Sequence, residues 1–163
     1  VVSVMAIKIK DRFIEVTPIM LIEEEESLLS KLVIKDPFLG NKHIDSEEEA
    51  IYSFTPPTSG PHFEEKQADW GFHNQSIPYS TLVHNLEHGE VVIYFSPDKE
   101  SEANQIFHRV VEQFGKEGIV FTSASGLNSS YVLTAWKHTI EMNEINEQIF
   151  ELFIEKYRIN RHY

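Results

Sequence analysis

Apolar and polar positions in the second half of the chain alternate in patterns that predict strands and helices. Glu90–Phe95 and Ile119–Thr122 are short apolar runs of the kind that form buried strands. Tyr131–Met142 alternates apolar and polar residues along its length, which predicts one long strand. Apolar residues at helical spacing predict helices over Ser101–Phe114 and Asn146–Arg158. The order β-α-β-β-α predicts a single α+β domain with a small, mainly antiparallel sheet.

The two longer helices are expected to cover one face of this sheet. They should bury four aromatic side chains in the core, namely Phe107, Phe114, Phe150 and Phe153. A shorter helix is expected between Leu82 and His88, capped by Ser80-Thr81 and closed by Gly89.

A long loop-rich segment precedes this regular part of the chain. Residues 55–62 read Thr-Pro-Pro-Thr-Ser-Gly-Pro-His, with three prolines and one glycine among eight residues. Each proline fixes its φ angle and removes a backbone donor, so this stretch is predicted to be an ordered loop. Long loops of this kind inside a compact domain are usually functional.

Composition narrows the range of functions. The chain has 163 residues, enough for one domain with a sizeable core. Asp and Glu total 26 against 14 Lys and Arg, so the net charge of −12 disfavours nucleic acid and anionic membranes as partners and favours cations. The absence of cysteine excludes disulfides, thiolate catalysis, iron–sulfur clusters and blue-copper centres. The eight histidines are therefore the first chemical lead.

The sharpest motif is His84-Asn85-Leu86-Glu87-His88. Two histidines four residues apart share one face of a helix, so both imidazoles can reach one divalent ion. His62 follows the proline-rich loop, whose rigidity suits a preformed third ligand. His43 is the expected fourth ligand, and Glu87 is expected to accept the N–H of a ligating imidazole. The remaining histidines are expected to serve other roles or to be solvated: His73, His108, His138 and His162.

Three classes of function fit this pattern. The first is transition-metal binding, with copper ahead of zinc because histidine sites follow the Irving–Williams order. The second is a zinc-dependent hydrolase, since His84-x-x-Glu87-His88 matches the inverted zincin pattern with Glu87 as general base. Gly89 and the apolar run after it cut that helix short, so we expect a binding protein rather than an enzyme. The third is a structural or partner-binding domain with a buried histidine hydrogen-bond network.

Two long motifs also resemble the domain-of-unknown-function family 3105. They read PPTSGPH at residues 56–62 and HNLEHG at residues 84–89, and Trp70-Gly71 and Leu133-Thr134-Ala135-Trp136 add to the likeness. The resemblance covers residues 41–160, which predicts a family-like domain there and an N-terminal segment with a short helix over residues 1–40. The family's recurrent histidines fall on His43, His62, His84 and His88.

The resemblance also implies a cellular location. Members of this prokaryotic family usually carry one N-terminal membrane anchor with the domain outside the cytoplasm. We therefore expect an extracytoplasmic protein whose anchor preceded Val1, with a metal ion and another extracytoplasmic protein as partners. The sequence departs from the family at His73, where an aromatic residue is usual, and at Glu90, where a small residue is common. The resemblance implies no reaction.

Overall fold

The computed structural model describes the chain over three stretches, residues 5–9, 12–16 and 18–159, with side chains from residue 23 onward. The chain divides into two compact units, Val1–Leu32 and Val33–Tyr163. In the described part of the first unit, strands β1 (Met5–Ile9) and β2 (Arg12–Val16) form an antiparallel hairpin. Helix α1 (Pro18–Leu32) follows this hairpin. None of the helices in the described ranges has the length and hydrophobicity needed to cross a bilayer.

The second unit is built on a mixed six-stranded sheet. The strands of this unit, in that sheet and in a separate pair, are β3 (Ile34–Lys35), β4 (His43–Ile44), β5 (His62–Phe63), β6 (Gly71–His73), β7 (Val91–Phe95), β8 (Ile119–Ser123), β9 (Tyr131–Ala135) and β10 (His138–Met142). Its helices are α2 (Tyr79–Glu87), α3 (Glu100–Phe114) and α4 (Glu147–Tyr157). The large sheet has the order β3-β10-β9-β7-β8-β6, and β4 pairs with β5 separately. The pairs β7–β8 and β6–β8 are parallel and the others in this sheet antiparallel, so the α+β class is confirmed.

Helices α3 and α4 pack on the same face of the large sheet, as predicted. The ring of Phe121 on β8 lies 5.4 Å from Phe107 of α3 and 6.4 Å from Phe150 of α4. Phe150 and Phe153 are buried, as expected. The prediction was wrong for Phe107 and Phe114, which stay half-buried because they flank the buried line of α3 rather than lying on it.

Helix α2 covers the opposite face of the sheet. Leu82 and Leu86 are fully buried there and pack against side chains from β7, β8 and β9. The predicted capping by Ser80-Thr81 was wrong, because the helix already begins at Tyr79, directly after Pro78. Ser80 instead donates its hydroxyl hydrogen to the carboxylate of Glu47. The closing role of Gly89 is confirmed by its φ of +78°, a left-handed conformation that glycine adopts without strain.

The long strand predicted over Tyr131–Met142 is a hairpin of β9 and β10. The two strands are joined by Trp136 and Lys137, with His138 paired to Ala135 and Lys137 at φ +60°. The paired residues Ala135 and His138 lie on the same face of the sheet, whereas residues three apart in a single strand point to opposite faces. The hairpin therefore shifts the alternation by one residue, and the prediction of one long strand was wrong because it overlooked that shift. The turn also lacks the Asn-Gly or Asp-Gly signal that marks most tight hairpins.

Candidate metal centre

Two short strands bring the first pair of predicted ligands together. In the parallel pairing of β4 with β5, His43 stands opposite His62, and their ring centres lie 5.0 Å apart. The backbone N–H of His62 donates to the carbonyl of Lys42 at 3.0 Å. Two residues earlier, the backbone N–H of Gly60 donates to the carbonyl of Gly40 at 2.8 Å. These bonds hold the proline-rich loop beside residues 40–43.

The proline-rich loop is also anchored by its buried hydroxyl side chains. Thr58 and Ser59 are fully buried. The Asp36 carboxylate accepts hydrogen bonds from Thr58 at 2.9 Å and from Thr139 of β10 at 2.6 Å. The hydroxyl oxygen of Ser59 accepts from the backbone N–H of Leu39 at 2.9 Å. The loop is therefore ordered, as the sequence predicts, and it fixes the approach of the chain to β5.

The end of α2 supplies the other candidate ligands. Its apolar side faces the sheet, and a neighbouring side carries His84, Glu87 and His88. The Nε2 atoms of His84 and His88 lie 2.9 Å apart and their ring centres 4.6 Å apart. A hydrogen bond between them requires one imidazole to donate and the other to accept. The predicted convergence of this pair on one point is therefore present.

Glu87 joins the helix to the strand pair. One of its carboxylate oxygens, Oε2, lies 2.9 Å from Nε2 of His62 and 4.0 Å from Nε2 of His43. The ring of His62 is 5.4 Å from the ring of His84, centre to centre. All four histidines predicted as ligands thus lie in one group with Glu87, which we call the histidine cluster (His43, His62, His84, His88 and Glu87).

His62 has an unusual hydrogen-bonding position. Its side chain is 0% exposed, and its Nδ1 lies 2.8 Å from the carbonyl oxygen of Gly60. A carbonyl oxygen only accepts, so Nδ1 carries a hydrogen and donates it. The other ring nitrogen faces the Glu87 carboxylate. A lone pair on Nε2 would oppose the lone pairs of that oxygen, so a proton or a metal ion must lie between the two atoms.

Burial favours the neutral form of His84. Its pKa is lowered first by burial and then by the neighbouring imidazoles of His88 and His62. A neutral imidazole keeps a lone pair for a metal ion at neutral pH. The Nδ1 atom of His84 is buried. Burial and the two imidazoles lower the pKa of His84 by more than the backbone of Phe63 and the carboxylate of Glu87 raise it.

The remaining histidines in the described ranges lie outside the cluster. His73, on β6, places Nε2 2.8 Å from the carbonyl oxygen of Asp69. His108 is exposed on α3. His138 has Nδ1 2.7 Å from the carbonyl oxygen of Trp136, a structural position of the kind expected for it. His162 lies outside the described residues.

Two partners of the cluster were missed by the sequence reasoning. The carbonyl of Gly60 accepts the Nδ1 hydrogen of His62, whereas Glu87, which was expected to accept the N–H of a ligating imidazole, faces Nε2 of that ring. Glu64 lies 3.7 Å from Nδ1 of His43. Nothing in the sequence marks a backbone carbonyl as a partner, and Glu64 is one of many glutamates. Its place beside His43 depends on the pairing of β4 with β5.

Comparison with known families places this geometry in context. Residues 43–163 match the family described as "Protein of unknown function (DUF3105)", which is well over half of the chain. The chain belongs to the DUF3105 family. The DUF3105 match begins at His43 and so includes every member of the histidine cluster. No curated protein and no solved structure matches this chain.

The DUF3105 region thus combines imidazole nitrogens with one carboxylate. Such a donor set binds the borderline ions Cu(II), Zn(II) and Ni(II), whereas Mg²⁺ and Ca²⁺ prefer oxygen ligands alone. Within this region, the ligand atoms of His43, His62 and Glu87 all lie within 4.8 Å of one another.

Proposed function

We propose that this protein binds a transition-metal ion through the histidine cluster, with copper as the first candidate and zinc as the second. The observation that carries the proposal is the setting of His62. Its Nδ1 hydrogen is held by the carbonyl of Gly60, while Nε2 points at the Glu87 carboxylate at 2.9 Å. Histidines that bind metals almost always donate their other N–H to a carbonyl or carboxylate, which fixes the tautomer and orients the ring.

The spacing of the donor atoms supports the same proposal. Two nitrogens bound at 2.0–2.1 Å to a tetrahedral ion lie about 3.3 Å apart. His84 and His88 are 2.9 Å apart at Nε2, and His62 and Glu87 are 2.9 Å apart. Both pairs need only a small widening to admit an ion. The excess of acidic residues, with a net charge of −12, adds a field that attracts cations.

The two competing functions make different demands on the same residues. In a purely structural network, a proton in place of a metal ion would lie between His62 and Glu87, and another between His84 and His88. A zinc hydrolase of the inverted zincin type requires Glu87 to act on a water held between His84 and His88. Glu87 faces His62 instead, and α2 ends at Glu87 itself. For these reasons we propose a metal-binding protein rather than a hydrolase.

The family resemblance supports a proposal about where the protein acts. We propose that the protein handles or senses its metal outside the cytoplasm and is membrane-anchored, as members of the family usually are. Another extracytoplasmic protein is the proposed partner, as donor or receiver of the ion or as recipient of the signal. Nucleic acid is not a proposed partner, because the net charge repels phosphate.

The test is metal binding by the untagged chain. Purified protein is analysed for bound metal and then titrated with Cu(II) and with Zn(II) by calorimetry after chelation. The double variant His62→Ala/His84→Ala removes one imidazole from the strand pair and one from the helix, and it should lose tight binding of both metals. The matched control, His73→Ala/His108→Ala, removes two histidines outside the cluster and should bind like the wild type. Equal binding by the two double variants, or no binding by the wild type, would refute the proposal.

A further inference from the structure

We infer that the histidine cluster holds two ions side by side. His43, His62 and Glu87 form the first position, and His84 and His88 form the second. This inference rests on the proposed function of metal binding and extends it to the number of ions and their arrangement. The first position joins β4 and β5 to the end of α2, and the second lies wholly at the end of α2.

The first position is compact enough for one ion. Its three ligand atoms all lie within 4.8 Å of one another. The Oε2 atom of Glu87 is 2.9 Å from Nε2 of His62 and 4.0 Å from Nε2 of His43. The donors of a tetrahedral site stand about 3.3 Å apart, so changes of under about 1.5 Å in these spacings bring the three around an ion. The side chain of His43 is 46% exposed, so part of its ring borders solvent rather than protein.

The second position is separate from the first. His84 and His88 place their Nε2 atoms 2.9 Å from each other. Among the described residues, the 4.8 Å group of donors contains His43, His62 and Glu87 and neither of these two histidines. The rings of His62 and His84 are 5.4 Å apart between centres. A single ion with donors about 3.3 Å apart cannot collect all five side chains from this arrangement.

Backbone and side-chain bonds on both sides oppose a collapse onto one ion. The strand pair is held by the bond from the His62 N–H to the Lys42 carbonyl at 3.0 Å. Helix α2 is held by the fully buried Asn85, which exchanges two bonds of 2.9 Å with the backbone of Ala68. These bonds therefore keep the donors of the first position apart from the donors of the second, and each set can bind an ion of its own.

Glu87 is the group that links the two positions. It precedes His88 directly and lies three residues after His84 on α2, while its Oε2 atom faces His62. A carboxylate has two oxygens and can bind two ions at once, as in two-metal sites whose ions are about 3.5–4 Å apart. The carboxylate of Glu64, 3.7 Å from Nδ1 of His43, adds negative charge beside the first position and so reduces the net positive charge of a two-ion cluster.

The experiment counts ions and measures the distance between them. The untagged full chain is titrated with Cu(II) and followed by calorimetry and by electron paramagnetic resonance. We expect saturation at two Cu(II) per chain. The spectrum of the first equivalent should be that of an isolated ion, and the second should bring dipolar broadening or loss of signal by exchange coupling through the Glu87 carboxylate. Saturation at one ion, or a second ion that gives only the spectrum of an isolated ion, would overturn the inference and leave metal binding itself intact.

Variants separate the two positions. His88→Ala removes a half-buried ligand of the second position, and His43→Ala removes the exposed ligand of the first. Each variant should bind one Cu(II) tightly in place of two and give the full-intensity spectrum of an isolated ion. His108→Ala is the control and should keep both ions. Circular dichroism of each variant with chelator establishes that it folds. Loss of all binding in either folded variant would indicate one shared ion and overturn the inference, whereas a wild type that binds no metal would refute the proposed function as well.

Discussion

Asn85 offers a test of how the end of α2 is held, independent of any metal. Asn85 lies between His84 and His88 in the sequence, and its side chain is fully buried. The Asn85 amide donates to the Ala68 carbonyl at 2.9 Å and to the Glu90 carboxylate at 2.7 Å, and its carbonyl accepts from the Ala68 N–H at 2.9 Å. Asn85→Ala removes all three bonds at once.

The expected loss of stability follows from those bonds. A hydrogen bond between neutral groups contributes about 0.5–1.5 kcal/mol, and one to a charged group about 1.5–3 kcal/mol. Ala68 is half-buried, so water can replace part of what its backbone loses, whereas Glu90 is only 7% exposed and is left with a desolvated carboxylate. We therefore expect Asn85→Ala to lower the free energy of unfolding by about 3 kcal/mol. For a chain of this size, 1 kcal/mol shifts Tm by about 2–4 °C, which predicts a fall of about 6–12 °C.

The assay is thermal unfolding followed by circular dichroism, with chelator present so that metal binding does not contribute. Asn104→Ala is the matched control, because it makes the same substitution on α3 at a half-buried position. We expect the control to change Tm by less than about 2 °C, since alanine also favours the helix. An Asn85→Ala variant that melts within 2 °C of the control would show that the three bonds do not anchor α2, and the argument for two separated donor sets would lose one of its supports.

Three further predictions concern the histidine cluster. Glu87→Gln keeps the shape of the side chain but replaces a ligating carboxylate by a neutral amide, so the affinity for Cu(II) in calorimetry should fall by at least the roughly 10- to 100-fold that loss of an outer partner of a ligand costs; an unchanged affinity would exclude Glu87 from the site. Burial lowers the pKa of His84 in the folded protein, so as pH falls His84 is protonated in the unfolded chain before it is protonated in the folded one. The stability that neutral His84 contributes is therefore present above its unfolded pKa of about 6.5 and is lost as pH falls below that value. Urea unfolding with chelator should therefore show wild-type stability dropping between pH 7.5 and 5.5 more steeply than that of His84→Gln, and equal slopes would contradict this. Zn(II) at a hundredfold excess over its Kd should add about 2.7 kcal/mol at pH 7.5, and this gain should shrink at pH 5 as the ligands become protonated; a melting curve unaffected by metal would count against binding.

The fold class could be predicted from local patterns. The stripes of α3 and α4 and the apolar runs of β7 and β8 are periodic signals within single elements, and the structure has those elements close to the predicted bounds. The hairpin of β9 and β10 was missed, because its turn at Trp136 and Lys137 carries no glycine, asparagine or aspartate to mark the reversal. The partial exposure of Phe107 and Phe114 also could not be predicted, because it depends on tertiary contacts that the helical pattern of α3 does not specify.

The candidate site divides in the same way. The pairing of His84 with His88 follows from the helix alone, because residues four apart share a face whatever surrounds them. The meeting of His43 with His62 depends on two strands of two residues each, which are too short to leave any periodic signal. The contact of Glu87 with His62 depends in turn on how α2 packs against that strand pair. The local spacing of residues therefore predicted the pairing of His84 with His88 on one helix. The long-range packing of loop, strand and helix brought the donors together, because such contacts are made between segments whose separation in sequence carries no pattern.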